Sequence, residues 1–127
     1  MSQLPKAYDL EERTVKFAET IVTICQTIKQ DAVTRPIINQ LIRSATSIGA
    51  NYAEANGASS KQDFRNKIFL CKKETQETRY WLRILTHALP SLKEGLFTIT
   101  AECQELTLIF QKITSTLDSK TSKLKID

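Results

Sequence analysis

Apolar residues recur along most of this chain at alternating spacings of four and three, and that rhythm restricts its fold more than any other feature. The first stretch reads Leu10, Thr14, Phe17, Ile21, Ile24, Ile28, and the second Ile38, Leu41, Ala45, Ile48, Tyr52, Ala55. The third reads Phe64, Ile68, Cys71, Thr75, Thr78, Leu82, Leu85, Leu89, and the fourth Ile99, Cys103, Leu106, Phe110, Ile113, Leu117. A repeat of about 3.5 residues keeps one seam of a helix facing its partners in a left-handed bundle. Four such stretches predict an all-α, antiparallel up-and-down four-helix bundle with heptad packing.

The punctuation between the stretches agrees. Only three Gly and three Pro are present, which favours long helices over many short strands. Asp9 is placed to cap the first helix, with Glu12 as its reciprocal partner. Pro36 suits the first turn of the second, where its missing N–H would have had no partner. Asn56-Gly57-Ala58-Ser59 interrupts the pattern, and Ser60, with Asp63 three residues on, opens the third helix. Pro90 closes that helix, and Gly95 is expected in the loop that follows. The predicted helices are 9–29, 36–55, 60–89 and 99–118, in one domain over residues 1–118. A flexible basic tail is expected at 119–127.

Composition narrows the function classes. With 127 residues the chain suits one domain with a real core. Its apolar runs are too short to span a membrane, and Met-Ser-Gln-Leu-Pro-Lys at the start carries no apolar signal core. The cytoplasm is the expected location. Cys25, Cys71 and Cys103 are odd in number, far apart and read as lying on apolar stripes, which implies buried reduced thiols. His87 is the only histidine, so a zinc site or a Ser-His-Asp triad has little to draw on. No metal or cofactor is expected.

Outside the seams, the third helix is the most unusual. At about 100° per residue, Lys61, Arg65, Lys72, Arg79 and Arg83 fall within about 40° of one another. Their stripe runs for about 33 Å at 1.5 Å per residue. No acidic residue of the same helix interrupts it, and Gln76, Phe69 and Tyr80 flank it. Residues 61–83 hold seven basic and three acidic side chains, while the whole chain is only +4. Such a line can track a phosphate backbone, each contact adding affinity by counterion release. The flanking aromatics could stack on unpaired bases. A solvated face, or one pairing with the acidic start of the first helix in a neighbouring subunit, is the plain alternative. A second apolar set, Leu70, Trp81, Ile84 and Ala88, implies either a broad core or a face buried against another chain.

The second helix carries a polar strip, Arg43, Ser47, Asn51 and Glu54, within about 80° and roughly opposite its seam. Ser47 has no histidine or lysine at helical spacing, and Glu54 is a single carboxylate, so the strip is not expected to be catalytic. An intersubunit or interhelix polar network is expected instead.

The run Gln40-Leu41-Ile42-Arg43-Ser44-Ala45-Thr46-Ser47-Ile48-Gly49-Ala50-Asn51-Tyr52-Ala53-Glu54-Ala55 resembles the signature of the 23S ribosomal RNA intervening-sequence proteins, a four-helix-bundle family. The likeness continues through Ser60-Lys61-Gln62-Asp63-Phe64 and Glu74-Thr75-Gln76-Glu77-Thr78-Arg79-Tyr80-Trp81-Leu82, covering about residues 8–118. Tyr52 departs from it, standing where the family more often has a smaller aliphatic residue. The resemblance implies a small cytoplasmic bacterial protein that assembles as a ring, typically a homopentamer, with no established enzymatic activity. It also extends distantly to the accessory variability determinants of diversity-generating retroelements, basic pentamers that bind nucleic acid and partner a reverse transcriptase. Two functional expectations follow. One is a non-enzymatic homo-oligomer binding RNA or an RNA–DNA hybrid through Lys61, Arg65, Lys72, Arg79 and Arg83. The other is a protein-interaction scaffold, for example a reverse-transcriptase partner, without direct nucleic-acid binding.

Overall fold

The structure, a computed structural model, describes residues 9–126, with side chains through Ser119. Among these residues there are four α-helices and no strand: α1 (Leu10–Gln26), α2 (Thr34–Asn56), α3 (Lys61–Ala88) and α4 (Lys93–Ile126). α1 packs on α2 and α4, and α3 packs on the same two, which is the arrangement of an up-and-down bundle. The α2–α3 pair is the most extensive and the α1–α4 pair the loosest.

The predicted seams are the core. Phe17, Ile21, Ile38, Leu41, Ala45, Ile48, Ile68, Cys71, Leu82, Leu85, Cys103, Leu106 and Phe110 are all buried. Burying a Leu, Ile or Phe side chain is worth about 1.5–3 kcal/mol, so this shared interior is what holds four separately marginal helices together. The hydroxyls that interrupt the seams find partners. Thr78 Oγ1 donates to Ser44 Oγ at 2.8 Å across the α2–α3 contact. Thr14 Oγ1 donates to the Glu11 carbonyl at 2.7 Å. The three cysteines are free and buried.

Several boundaries differ from expectation, each for a local reason. α1 ends at Gln26 rather than 29, and Cys25 takes the buried position while Ile24 stays half-buried. A straight helix drifts off a strict heptad, so its last turn rotates the seam by one residue. Asp9 precedes α1 but makes no side-chain cap bond, so the expected capping box is not formed. α2 begins at Thr34, with Pro36 still in its first turn. Its start is set by Asp31, whose Oδ1 accepts from the Val33 and Thr34 amides at 2.9 and 2.8 Å. Thr34 Oγ1 in turn accepts from the Asp31 amide at 2.9 Å. Ser60 caps α3 as predicted, accepting from the Asp63 amide at 3.0 Å.

The largest correction is at α4. A 3₁₀ turn over Pro90–Leu92 leads straight into the helix at Lys93, six residues before the predicted start. Gly95 therefore lies in the first turn, not in a loop. Leu96 is buried, and Leu89, Leu92, Leu96 and Ile99 continue the three-and-four rhythm without a break. The backbone of α4 also continues through Ile126, past the predicted end at 118. The side chains expected to form a basic tail lie outside the described residues. No helix is long and apolar enough to cross a membrane, among the residues described.

Candidate nucleic-acid interface

The cationic stripe of α3 divides into two unlike halves. Lys61 stands exposed at the first residue of the helix. Arg65 is half-buried; its Nε donates to Asp118 Oδ1 of α4 at 3.1 Å, and its guanidinium lies 4.7 Å from the Phe69 ring centre. Lys72 is also half-buried, with Nζ 5.9 Å from the same ring centre. Phe69 thus serves as a platform for two cations of its own chain. That use competes with the base stacking expected of it. Asp118, 53 residues away in sequence, offsets charge that the acids of α3 leave alone.

The other half is open. Arg79 and Arg83 are exposed, and they line a groove between α3 and the start of α4. The groove encloses about 550 Å³, and Gln76, Tyr80, Lys93, Phe97 and Thr100 also line it. Phe97 is 75% exposed and Tyr80 55% exposed, well above most large apolar side chains of the molecule. Trp81 meets the Tyr80 ring edge-on at 5.0 Å between centroids. Lys93 and Phe97 precede the helix that the sequence predicts from residue 99, so its pattern does not place them on a helix face. Phe97 was visible as an aromatic outside the heptad register, and reading the rhythm through Gly95 would have placed it on the outer face.

The polar strip of α2 finds partners within the chain, though Arg43 and Glu54 stay exposed. Arg43 donates from Nε to Gln40 Oε1 at 3.0 Å and from Nη1 to Glu74 Oε1 at 3.5 Å, and it also pairs with Glu77. Glu77 accepts from Trp81 Nε1 at 3.1 Å, so Arg43 and Trp81 belong to one α2–α3 network. Glu54 accepts from Lys67 Nζ at 2.7 Å. Ser47 Oγ donates to the Arg43 carbonyl at 2.7 Å, and Asn51 Nδ2 to the Ser47 carbonyl at 2.8 Å. Arg43 and Glu54 thus bond across to α3, while Ser47 and Asn51 bond within α2. Trp81, Ile84 and Ala88 are half-buried, with Trp81 packed against the core, while Leu70 is left exposed.

Nucleophile chemistry finds no foothold in the cysteines. Burial pushes the Cys25 thiol up to about 11 and those of Cys71 and Cys103 to about 12, far from thiolate at neutral pH. Among the described residues, no group of three His, Cys, Asp or Glu side chains is placed to share a metal ion.

This bundle matches the model of the 23S rRNA-intervening sequence protein family over residues 6–117. The chain belongs to that family. A crystal structure of a protein with unknown function, from the S23 ribosomal protein family of Bacteroides thetaiotaomicron VPI-5482, is similar at 31% identity and a TM-score of 0.72. The match covers 82% of this chain and 96% of that one. No curated protein matches. As a 23S rRNA-intervening sequence protein, the chain carries its groove on the family's bundle, since Gln76 through Thr100 lie inside the matched region.

Proposed function

We propose that this chain is a cytoplasmic, non-enzymatic, homo-oligomeric accessory protein that binds nucleic acid, RNA or an RNA–DNA hybrid, through α3 and the start of α4. One juxtaposition carries the reading: Arg79, Arg83 and Lys93 border an open groove beside two exposed aromatic rings. Cations that track phosphates supply affinity, and aromatic faces suit bases. Arg65 and Lys72 then play a smaller part than Arg79 and Arg83, since they are already engaged with Asp118 and Phe69.

Assembly into a ring, a homopentamer by resemblance, is supported by apolar side chains left outside the core. Val15 of α1, Leu70 of α3 and Leu108 of α4 are all exposed. A closed ring needs two different complementary surfaces on each subunit. A groove of about 650 Å³ between α1 and α2, lined by Val15, Val22, Gly49 and Ala50, is one. The exposed Leu108 of α4 suits the other.

Fluorescence anisotropy with a labelled, structured RNA tests the binding. Reversing Arg79, Arg83 and Lys93 to Glu together should weaken affinity by about tenfold or more, and flatten its salt dependence by roughly 0.7–0.9 per lost contact. Unchanged binding with helicity intact by circular dichroism would overturn the proposal. Light scattering should return a multiple of the 14.4 kDa subunit mass, fivefold for a pentamer, and a monomer at micromolar concentration would remove the ring. The alternative is a scaffold that binds only protein, such as a reverse transcriptase, which the exposed Val15 and Leu108 also suit. Co-purification of a protein partner without salt-sensitive RNA binding would select it.

A further inference from the structure

We infer that the groove between α3 and the start of α4 takes an unpaired segment of RNA, with a base stacked on Phe97 and the flanking phosphates on Arg79, Arg83 and Lys93. This deepens the nucleic-acid reading and rests on it. A duplex presents phosphates but keeps the faces of its bases covered by their neighbours. A basic surface that engaged only duplex would gain nothing from an aromatic face beside it. Here Phe97 stands 75% exposed on the rim and Tyr80 55% exposed across from it on α3, in the same groove as the cations. Every base has a π-face, so stacking of this kind tolerates any sequence while requiring that the base be free.

The rim is also braced before any ligand arrives. Trp81 holds the Tyr80 ring edge-on at an interplanar angle of 79°. The Trp81 indole is tied by Nε1 to Glu77, and Glu77 is paired with Arg43 of α2. A ring held this way loses less freedom on binding than a loose one. The groove volume of about 550 Å³ falls within the range of roughly 300–1,000 Å³ usual for small-ligand clefts, which suits a nucleotide or two rather than a helix of RNA. Gln76 and Thr100 supply polar groups that can meet base edges or ribose hydroxyls.

The test compares a fluorescein-labelled oligouridylate of about 24 residues with a G·C-rich RNA duplex of about 12 base pairs, so that phosphate number is equal, at one salt concentration. The oligouridylate should bind more tightly. Phe97→Ala should weaken its binding by roughly tenfold while leaving duplex binding unchanged, and Phe97→Trp should restore it. Both changes fall on an exposed side chain, so the fold should persist, and circular dichroism checks that it does. Equal binding of the two RNAs, or an oligouridylate affinity that Phe97→Ala leaves alone, would overturn this inference and leave the broader reading standing. If neither RNA, nor an RNA–DNA hybrid of the same length, binds in a salt-sensitive way, the broader reading fails and this one with it.

Discussion

Asp31 joins four hydrogen bonds with Val33 and Thr34 at the start of α2, through one short side chain and its own amide. The Thr34 amide, then the Val33 amide, hold its carboxyl below the usual 3.8. A carboxyl depressed on folding contributes stability above its unfolded value, and loses that contribution as pH falls through its folded one. Asp31→Ala should therefore lower the melting temperature at pH 7, and the gap from the native chain should narrow as pH drops below 3.8. A gap that stays constant to pH 2 would mean that the carboxylate plays no part. Asp31 was legible in principle, as an Asp three residues before a Thr. Pro36 is the more prominent signal in the sequence, but it fits a first turn without fixing where that turn starts.

At the scale of elements, two glycines separate local propensity from packing. Gly49 lies inside α2, where an added Cβ would sit 3.0 Å from Thr14 Oγ1 of α1. Thr14 is fully buried and its hydroxyl is bound to Glu11, so it has no room to retreat. Gly49→Ala should cost about 1 kcal/mol, the helix-propensity gain being outweighed by crowding of the α1–α2 contact. Gly95 has nothing within 4 Å of the same position. Gly95→Ala should gain about 0.4–1 kcal/mol, since only the unfolded chain loses freedom. Chemical denaturation of both variants checks the pair, and equal signs would contradict the argument. The sequence puts Gly49 inside a helix and Gly95 in a loop, and neither placement tells how much room a Cβ would find. The difference between them is the distance of a neighbouring helix, which periodicity does not encode.

For the whole molecule, α1 is held least firmly to α4, and a groove of about 560 Å³ opens between them. Across this gap Arg13 forms a two-pronged pair with Glu102, from Nε at 2.6 Å and Nη2 at 2.8 Å. The Glu102 bond raises the Arg13 guanidinium further above its already high value, so Arg13 keeps its charge on the alkaline side. Arg13→Ala should speed amide hydrogen exchange in α1 and leave the α2–α3 pair protected. Uniform loss of protection across all four helices would show that the bundle opens only as one unit.

What the sequence determined by itself was the rhythm: four seams, the helix type, most breaks, and the cap at Ser60. These depend on residues within one or two turns of each other, so the order of the chain contains them. Only the tertiary structure decided which charges remain free. Arg65 finds Asp118, Glu54 finds Lys67, and Arg43 finds Glu74 and Glu77, each across a helix–helix contact. It likewise brought Lys93 and Phe97 beside Arg79 and Arg83. The relative rotation and offset of packed helices fix those meetings. A one-dimensional pattern gives the face that each helix buries, but not which side chain of the next helix lies opposite the rest.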